Sequence, residues 1–253
     1  MWDFANNRFI LGTARYSSPE VVKRSVERSG AEIITVSLRR EVKGEGFWQF
    51  LRDLPVKILP NTAGCHTVEE VIMIAEMARE VFETSWIKVE VIGDDYTLQP
   101  DTIRLIRACE ELIKRDFTVF PYTTEDLVVA KSLVDLGCRV LMPWGSPIGT
   151  GKGLSNLYAL KTLRARLPDT TLIIDAGIGT PSQACQIMEM GFDGVLVNTA
   201  VALADDPPSM AEAFSSAVAF GRQARKAGIM KSRDVAEAST PVMGSPFWQG
   251  VVT

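Results

Sequence analysis

Two charged residues sit two positions apart inside an otherwise apolar run, Trp86-Ile87-Lys88-Val89-Glu90-Val91. Read as a β-strand, the run sends alternate side chains to opposite faces, so Ile87, Val89 and Val91 share one face. Lys88 and Glu90 share the other, roughly 7 Å apart along the strand. The apolar face suits packing beneath helices, which turns both charges inward. Buried charges are costly unless they are paired or put to use. One reading is a buried ion pair, between these two or with a neighbouring strand. The other is nucleophilic. Desolvation lowers the lysine's pKa, a neutral amine attacks a carbonyl, and Glu90 moves protons to and from the imine.

A second carboxylate closes another run, Thr171-Leu172-Ile173-Ile174-Asp175, which continues into Ala176-Gly177-Ile178-Gly179-Thr180-Pro181. Asp175 could cap a helix, but the helix signal comes five residues later, which favours catalysis. Gly177 and Gly179 allow backbone amides to approach a ligand just before a helix begins. One unit further on, Leu196-Val197-Asn198-Thr199-Ala200 ends a strand in a polar turn. Together the two loops point to a phosphorylated substrate, although neither would do so alone. The stretch Pro143-Trp144-Gly145-Ser146-Pro147-Ile148-Gly149-Thr150-Gly151-Lys152-Gly153 lacks the GxxxxGK[ST] spacing of a nucleotide loop. It reads as a substrate-covering loop or as an exposed connector. Arg39 and Arg40 could attract an anion or be surface charge. No metal-ligand cluster is visible, and the single histidine, His66, excludes a site built from several.

These residues need a scaffold that brings strand ends together. Short apolar segments rich in Val and Ile recur at Phe9–Gly12, Glu32–Val36, Lys57–Pro60, Trp86–Val91, Thr118–Phe120, Arg139–Met142, Thr171–Asp175 and Gly194–Asn198. Amphipathic helical patterns lie between them, such as Pro19–Ser29, Thr67–Val81, Asp101–Arg115, Thr124–Leu136 and Pro181–Met190. Ser18, Thr67 and Thr180 supply helix starts, and Gly30, Gly137 and Gly191 supply stops. Eight alternating units in 253 residues predict an α/β fold, a (β/α)8 TIM barrel in a single domain. No GxGxxG follows the first strand, which argues against a dinucleotide fold. The barrel is expected over residues 1–231. Residues 232–253 read as a tail, mobile or ordered by a partner, with Phe247 and Trp248 suggesting that part of it docks.

Composition is that of a globular protein, 46% hydrophobic and 23% charged. A net charge of −4 gives no reason to expect nucleic acid or anionic membrane as a partner, and no apolar run is long enough to span a bilayer. Cys65, Cys109, Cys138 and Cys185 show no CxxC spacing and read as mostly buried free thiols, so a cytoplasmic location is expected.

Seven stretches, LGTARYSS (11–18), GAEIITVSLRR (30–40), LPNTAGCHTVEE (59–70), WIKVEVIGDD (86–95), VLMPWGSPIGTGKG (140–153), IIDAGIGTPSQA (173–184) and GFDGVLVNTAVALADDP (191–207), resemble the bacterial thiazole synthase family of thiamin biosynthesis. The resemblance implies a transferase that forms an imine between Lys88 and 1-deoxy-D-xylulose 5-phosphate, with Glu90 and Asp175 as its acid–base pair. It places Gly149, Ala176, Gly177, Asn198 and Thr199 on substrate-binding motifs. Sulfur would arrive as a thiocarboxylate on a small sulfur-carrier protein, with dehydroglycine as the other substrate, and no cofactor is expected. Family members are homo-oligomers, so a homotetramer is implied. Two stretches depart from the pattern, a shortened EVKGEGFWQFLRDLP (41–55) and the ending SPFWQGVVT. A Schiff-base aldolase acting on a sugar phosphate and a non-catalytic phosphate-binding scaffold remain as alternatives.

Overall fold

The computed structural model of the chain describes residues 5–38, 45–237 and 239–240. Eight parallel strands close a barrel: β1 (Phe9–Gly12), β2 (Ile33–Ser37), β3 (Lys57–Asn61), β4 (Trp86–Val89), β5 (Thr118–Thr123), β6 (Val140–Pro143), β7 (Thr171–Asp175) and β8 (Gly194–Val197). Each pairs with the next in sequence. β8 returns to β1 with Val195 opposite Phe9, so closure removes the exposed strand edges. Helices α1 (Pro19–Ser29), α2 (Glu45–Arg52), α3 (Val68–Phe82), α4 (Thr102–Ile113), α5 (Leu127–Asp135), α6 (Leu157–Arg166), α7 (Pro181–Glu189), α8 (Thr199–Ala202) and α9 (Pro207–Ala227) complete the order. The single-domain barrel read from strand–helix alternation is what the chain forms. α2 falls in the shortened stretch after Arg40, whereas Arg39, Arg40, Phe247 and Trp248 lie outside the described residues.

Local chemistry explains the boundaries. The Ser18 hydroxyl accepts from the Val21 amide at 3.3 Å and Pro19 opens α1, while Gly30 ends it in the left-handed region at φ 61°. Thr67 caps α3 in the same manner, accepting from the Glu70 amide. Before α7, the Gln183 side chain accepts from the Gly179 and Thr180 amides, which fixes the loop leaving β7. A two-stranded antiparallel ribbon, Ile92–Asp94 with Gln99–Pro100, follows β4 and was not anticipated by the alternation. It was hidden because strands this short have no measurable period.

The core has two layers. Inside the barrel, Ile10, Ile33, Leu59, Phe120, Val140, Met142, Ile173 and Leu196 pack together with Trp86. They plug the barrel below the strand C-termini. Outside it, Ile34, Val36, Ile87, Val89, Leu172, Ile174, Val195 and Val197 meet the helices. Full burial of one such aliphatic side chain stabilises the fold by about 1.5–3 kcal/mol. α9 lies against α1 and α7, and Phe214 stacks on Phe9 at 6.3 Å between ring centroids. Among the described residues, no helix is long and apolar enough to cross a membrane. Cys65, Cys109 and Cys138 are buried free thiols and Cys185 is half-buried.

Candidate active site

The interior layer fixes which way Lys88 points. Trp86 shares its parity and packs with the inner cluster, while Ile87 and Val89 belong to the outer one. The Lys88 side chain therefore rises from the plug into the barrel mouth. Its Nζ lies 2.8 Å from Glu90 Oε1 and 2.6 Å from Asp175 Oδ2, and all three residues are at most 5% exposed. β4 ends at Val89, one residue earlier than Glu90 requires for a regular strand position. Thr62 compensates. Its amide donates to the Lys88 carbonyl at 3.1 Å. Its hydroxyl accepts from the Glu90 amide and donates to the Glu90 carbonyl, both at 2.8 Å. Asp175 reaches the same ammonium from β7, across the barrel. It caps no helix, since α7 starts from Thr180.

The expectation of a neutral lysine in the free protein is overturned here. Burial pulls the Lys88 pKa down, but the charges of Asp175 and Glu90 outweigh it and hold the group above its ordinary value. The free site therefore carries an ammonium between two carboxylates. Strand alternation could reveal Glu90, whereas Asp175 comes from a strand far away in sequence and was joined to the pair only through the family resemblance. Burial, with the like charge of Glu90 added, also raises the Asp175 pKa despite the attraction of Lys88. Asp175 Oδ2 is also the nearer of the two carboxylate oxygens to the Lys88 nitrogen. The Tyr122 ring lies 5.3 Å from Lys88 Nζ, and its phenol is pushed up by burial and by Asp175 and Glu90.

A cavity of about 390 Å³ opens above these groups. Lys88, Glu90, Asp175, Gly149, Ala176, Gly177, Asn198 and Thr199 all line it, so the sequence candidates from four separate strands converge on one space. The loop after β6 contributes Ile148 to Gly151 to its wall. That loop is stitched to the β7 loop. Gly145 N donates to the Asp175 and Ala176 carbonyls at 3.2 Å, and Gly153 N to the Gly177 carbonyl at 2.8 Å. Ala176 stands in the left-handed region at φ 68°, a strained placement for a residue with a side chain, directly beside Asp175. Gly12, at the end of β1, leaves the room Asn198 needs, because a Cβ there would fall 2.4 Å from the Asn198 Cβ.

Gly177 combines a φ of 74° with a Cβ position only 2.3 Å from Ser146 Oγ. Gly177→Ala is therefore expected to cost roughly 2–5 kcal/mol, from left-handed strain and overpacking together. Denaturant unfolding checks this, and an unchanged midpoint would show that the two loops can separate freely.

Reading by motif missed Thr35, Ser37, Asn61 and Tyr122. The signal was present in strand parity: Thr35 and Ser37 follow Ile33, Asn61 follows Leu59, and Tyr122 follows Phe120, each on the inner face near a strand C-terminus. Among the described residues no group of three or more His, Cys, Asp or Glu is arranged to hold a metal ion.

Known proteins resemble this chain in sequence and fold. The sequence model of the thiazole biosynthesis protein ThiG matches residues 3–241. Thiazole synthase of Paracidovorax citrulli is 58% identical over 247 residues, covering 96% of this chain and 91% of the relative. That of Ralstonia nicotianae is also 58% identical, covering 96% and 90%. Among solved structures, the Amycolatopsis orientalis BexX/CysO complex superposes with a TM-score of 0.83 at 25% identity, over 91% of this chain and 95% of that one. With agreement along nearly the whole sequence and over the barrel, the chain belongs to the ThiG family of thiazole synthases, enzymes of thiazole biosynthesis.

Proposed function

We propose that the enzyme holds 1-deoxy-D-xylulose 5-phosphate as an imine on Lys88 and builds the thiazole phosphate of thiamin from it. The observation that carries this reading is the buried ammonium of Lys88 between Glu90 and Asp175, at the floor of a cavity that also reaches the loops after β7 and β8. Lys88 first passes a proton to Asp175. The free amine adds to the C2 ketone, water leaves, and the imine acidifies C3. A carboxylate then takes the C3 proton and a proton is delivered to C2 as the C3 hydroxyl gives up its own, so C3 becomes a carbonyl and the Lys88 nitrogen stays bonded to C2 as an amine. The sulfur of a thiocarboxylate adds to that carbonyl, its acyl group passes from sulfur to the former carbonyl oxygen, and the carrier leaves as a carboxylate with that oxygen; dehydroglycine supplies the remaining ring atoms. Each positioned proton transfer is typically worth about 10²–10⁴-fold.

The phosphate would sit at the far rim. Asn198 and Thr199 begin α8, whose first amides have no partner within the helix, and Gly177 lets the facing backbone approach. Lys88 is the one basic side chain among the described lining residues, so backbone amides would carry the anion, with Gly149 and Ala176 closing over the sugar. Asn198→Ala is expected to weaken sugar-phosphate binding about tenfold while leaving trapping at saturating ketose unchanged, as titration calorimetry and borohydride trapping would show. Equal affinity in both proteins would remove Asn198 from the phosphate site.

The sulfur donor is read as the thiocarboxylate of a small carrier protein, a partner supported by the Amycolatopsis orientalis relative having been solved as a complex with a second protein, CysO. A homotetramer, a cytoplasmic location and a tail beginning near residue 232 complete the proposal. The decisive experiment is intact-mass analysis after borohydride reduction with the ketose phosphate, with peptide mapping to Lys88. Absence of added mass would refute the imine.

A further inference from the structure

A polar row runs across three strands beside the lysine. Strand register places Ser37 of β2 opposite Asn61 of β3, and Asn61 opposite Lys88 of β4. All three line the cavity. Adjacent strands are about 4.8 Å apart, so Asn61 is one strand spacing from the nitrogen-bearing residue. Its amide is oriented: Oδ1 accepts from the Ala63 backbone N–H at 3.2 Å, leaving the Nδ2 donors for the space the residue lines. Ser37 is only 6% exposed and its Oγ has no hydrogen-bond partner. A buried hydroxyl without a partner at a cavity wall marks a place where a ligand oxygen completes the network.

We infer that Ser37 and Asn61 form an oxygen-reading subsite for the carbon chain next to the imine. This rests on the imine reading above. Asn61 Nδ2 donates to the oxygen on C3, the carbon adjacent to the one bonded to Lys88, and Ser37 donates to the next hydroxyl along. When a carboxylate takes the C3 proton, the electron pair moves into the C2–C3 bond and the imine pair onto nitrogen, giving the enol; return of a proton to C2 with loss of the O–H proton then makes the oxygen a carbonyl. No added reactant is needed. A donor fixed at that oxygen binds the carbonyl form better than the hydroxyl, so Asn61 assists the tautomerisation as well as binding. The wall therefore selects ketose phosphates that carry a hydroxyl beside the carbonyl.

The test follows deuterium uptake at C3 of the ketose phosphate in heavy water, together with borohydride trapping of a 3-deoxy analogue, which can form the imine but lacks the oxygen. Asn61→Ala is expected to slow uptake at least tenfold and to trap the analogue at the wild-type rate. Asn61→Ser keeps a short acceptor for the Ala63 amide but not the reach, and should behave in the same way if alanine perturbs folding. Ser37→Ala should raise the KM for the ketose several-fold. Unchanged uptake in both Asn61 variants, or an equal loss on the analogue, overturns the subsite. No adduct in the wild type instead sinks the imine reading, and the subsite falls with it.

Discussion

Lys88→Ala should leave no trapped adduct at any ketose concentration, because no other amine lines the described cavity. It should also change the protein's stability in a pH-dependent manner, which makes the result more than a lost nucleophile. Removing the ammonium leaves Glu90 and Asp175 buried without the charge that lies within 2.8 Å of both. Stranding buried charge in this way typically costs about 3–5 kcal/mol. Burial and the like charge of Glu90 already push the Asp175 pKa up, and losing Lys88 removes the main force opposing them. The folded variant then binds a proton that the unfolded chain, ionising near about pH 4, has released. Where the native state binds more protons, stability falls as pH rises. The variant should therefore be least stable at neutral pH and recover as pH falls through the raised carboxylate pKa. Urea unfolding between about pH 5 and 8 reads this directly. A variant as stable as wild type at every pH would mean that the three groups are not electrostatically linked.

Much of this was legible because barrels translate sequence into geometry with few intermediate steps. The parity of Trp86 to Val91 was enough to turn Lys88 inward, and the same rule would have exposed Asn61 and Ser37 had it been applied to β2 and β3. The alternation of short apolar runs with capped helices gave the closed sheet, since Ser18, Thr67 and Gly30 stop and start the helices by local chemistry alone. The loops after β7 and β8 were found from glycine and Asn-Thr spacing, and they do line the same cavity as Lys88.

What escaped was set by contacts between elements distant in sequence. The charge of Lys88 depends on Asp175, three strands around the barrel and 87 positions away, approaching within 2.6 Å. A lysine with Glu90 alone and one with both carboxylates look identical in the local run. The stitching of the β6 loop to the β7 loop is likewise a matter of backbone hydrogen bonds, such as that from Gly153 to Gly177, which no residue type announces. The ribbon after β4 depends on pairing between two very short segments.

The charge state makes Asp175→Asn the sharpest remaining test. In the wild type a buried carboxylate whose pKa is raised lies 2.6 Å from the Lys88 nitrogen, and in the proposed mechanism it takes the proton so that the amine is freed inside the site without solvent. The asparagine variant keeps the shape and the Glu90 contact but removes that acceptor. Adduct formation near pH 7 should fall by about 10²–10⁴-fold, the usual worth of a positioned proton acceptor. The pH dependence should change as well. Internal transfer makes the wild-type rate weakly dependent on pH, whereas the variant must lose its proton to water, so its rate should climb steadily with pH. Losing one carboxylate also lowers the lysine's pKa from its raised wild-type value, so the deficit should shrink further in alkaline solution. Rapid-quench borohydride trapping across this range resolves both effects. If the variant traps ketose within a few-fold of wild type at neutral pH, Asp175 is not the proton acceptor. The ammonium must then discharge through Glu90, whose backbone Thr62 holds in place from β4's neighbour.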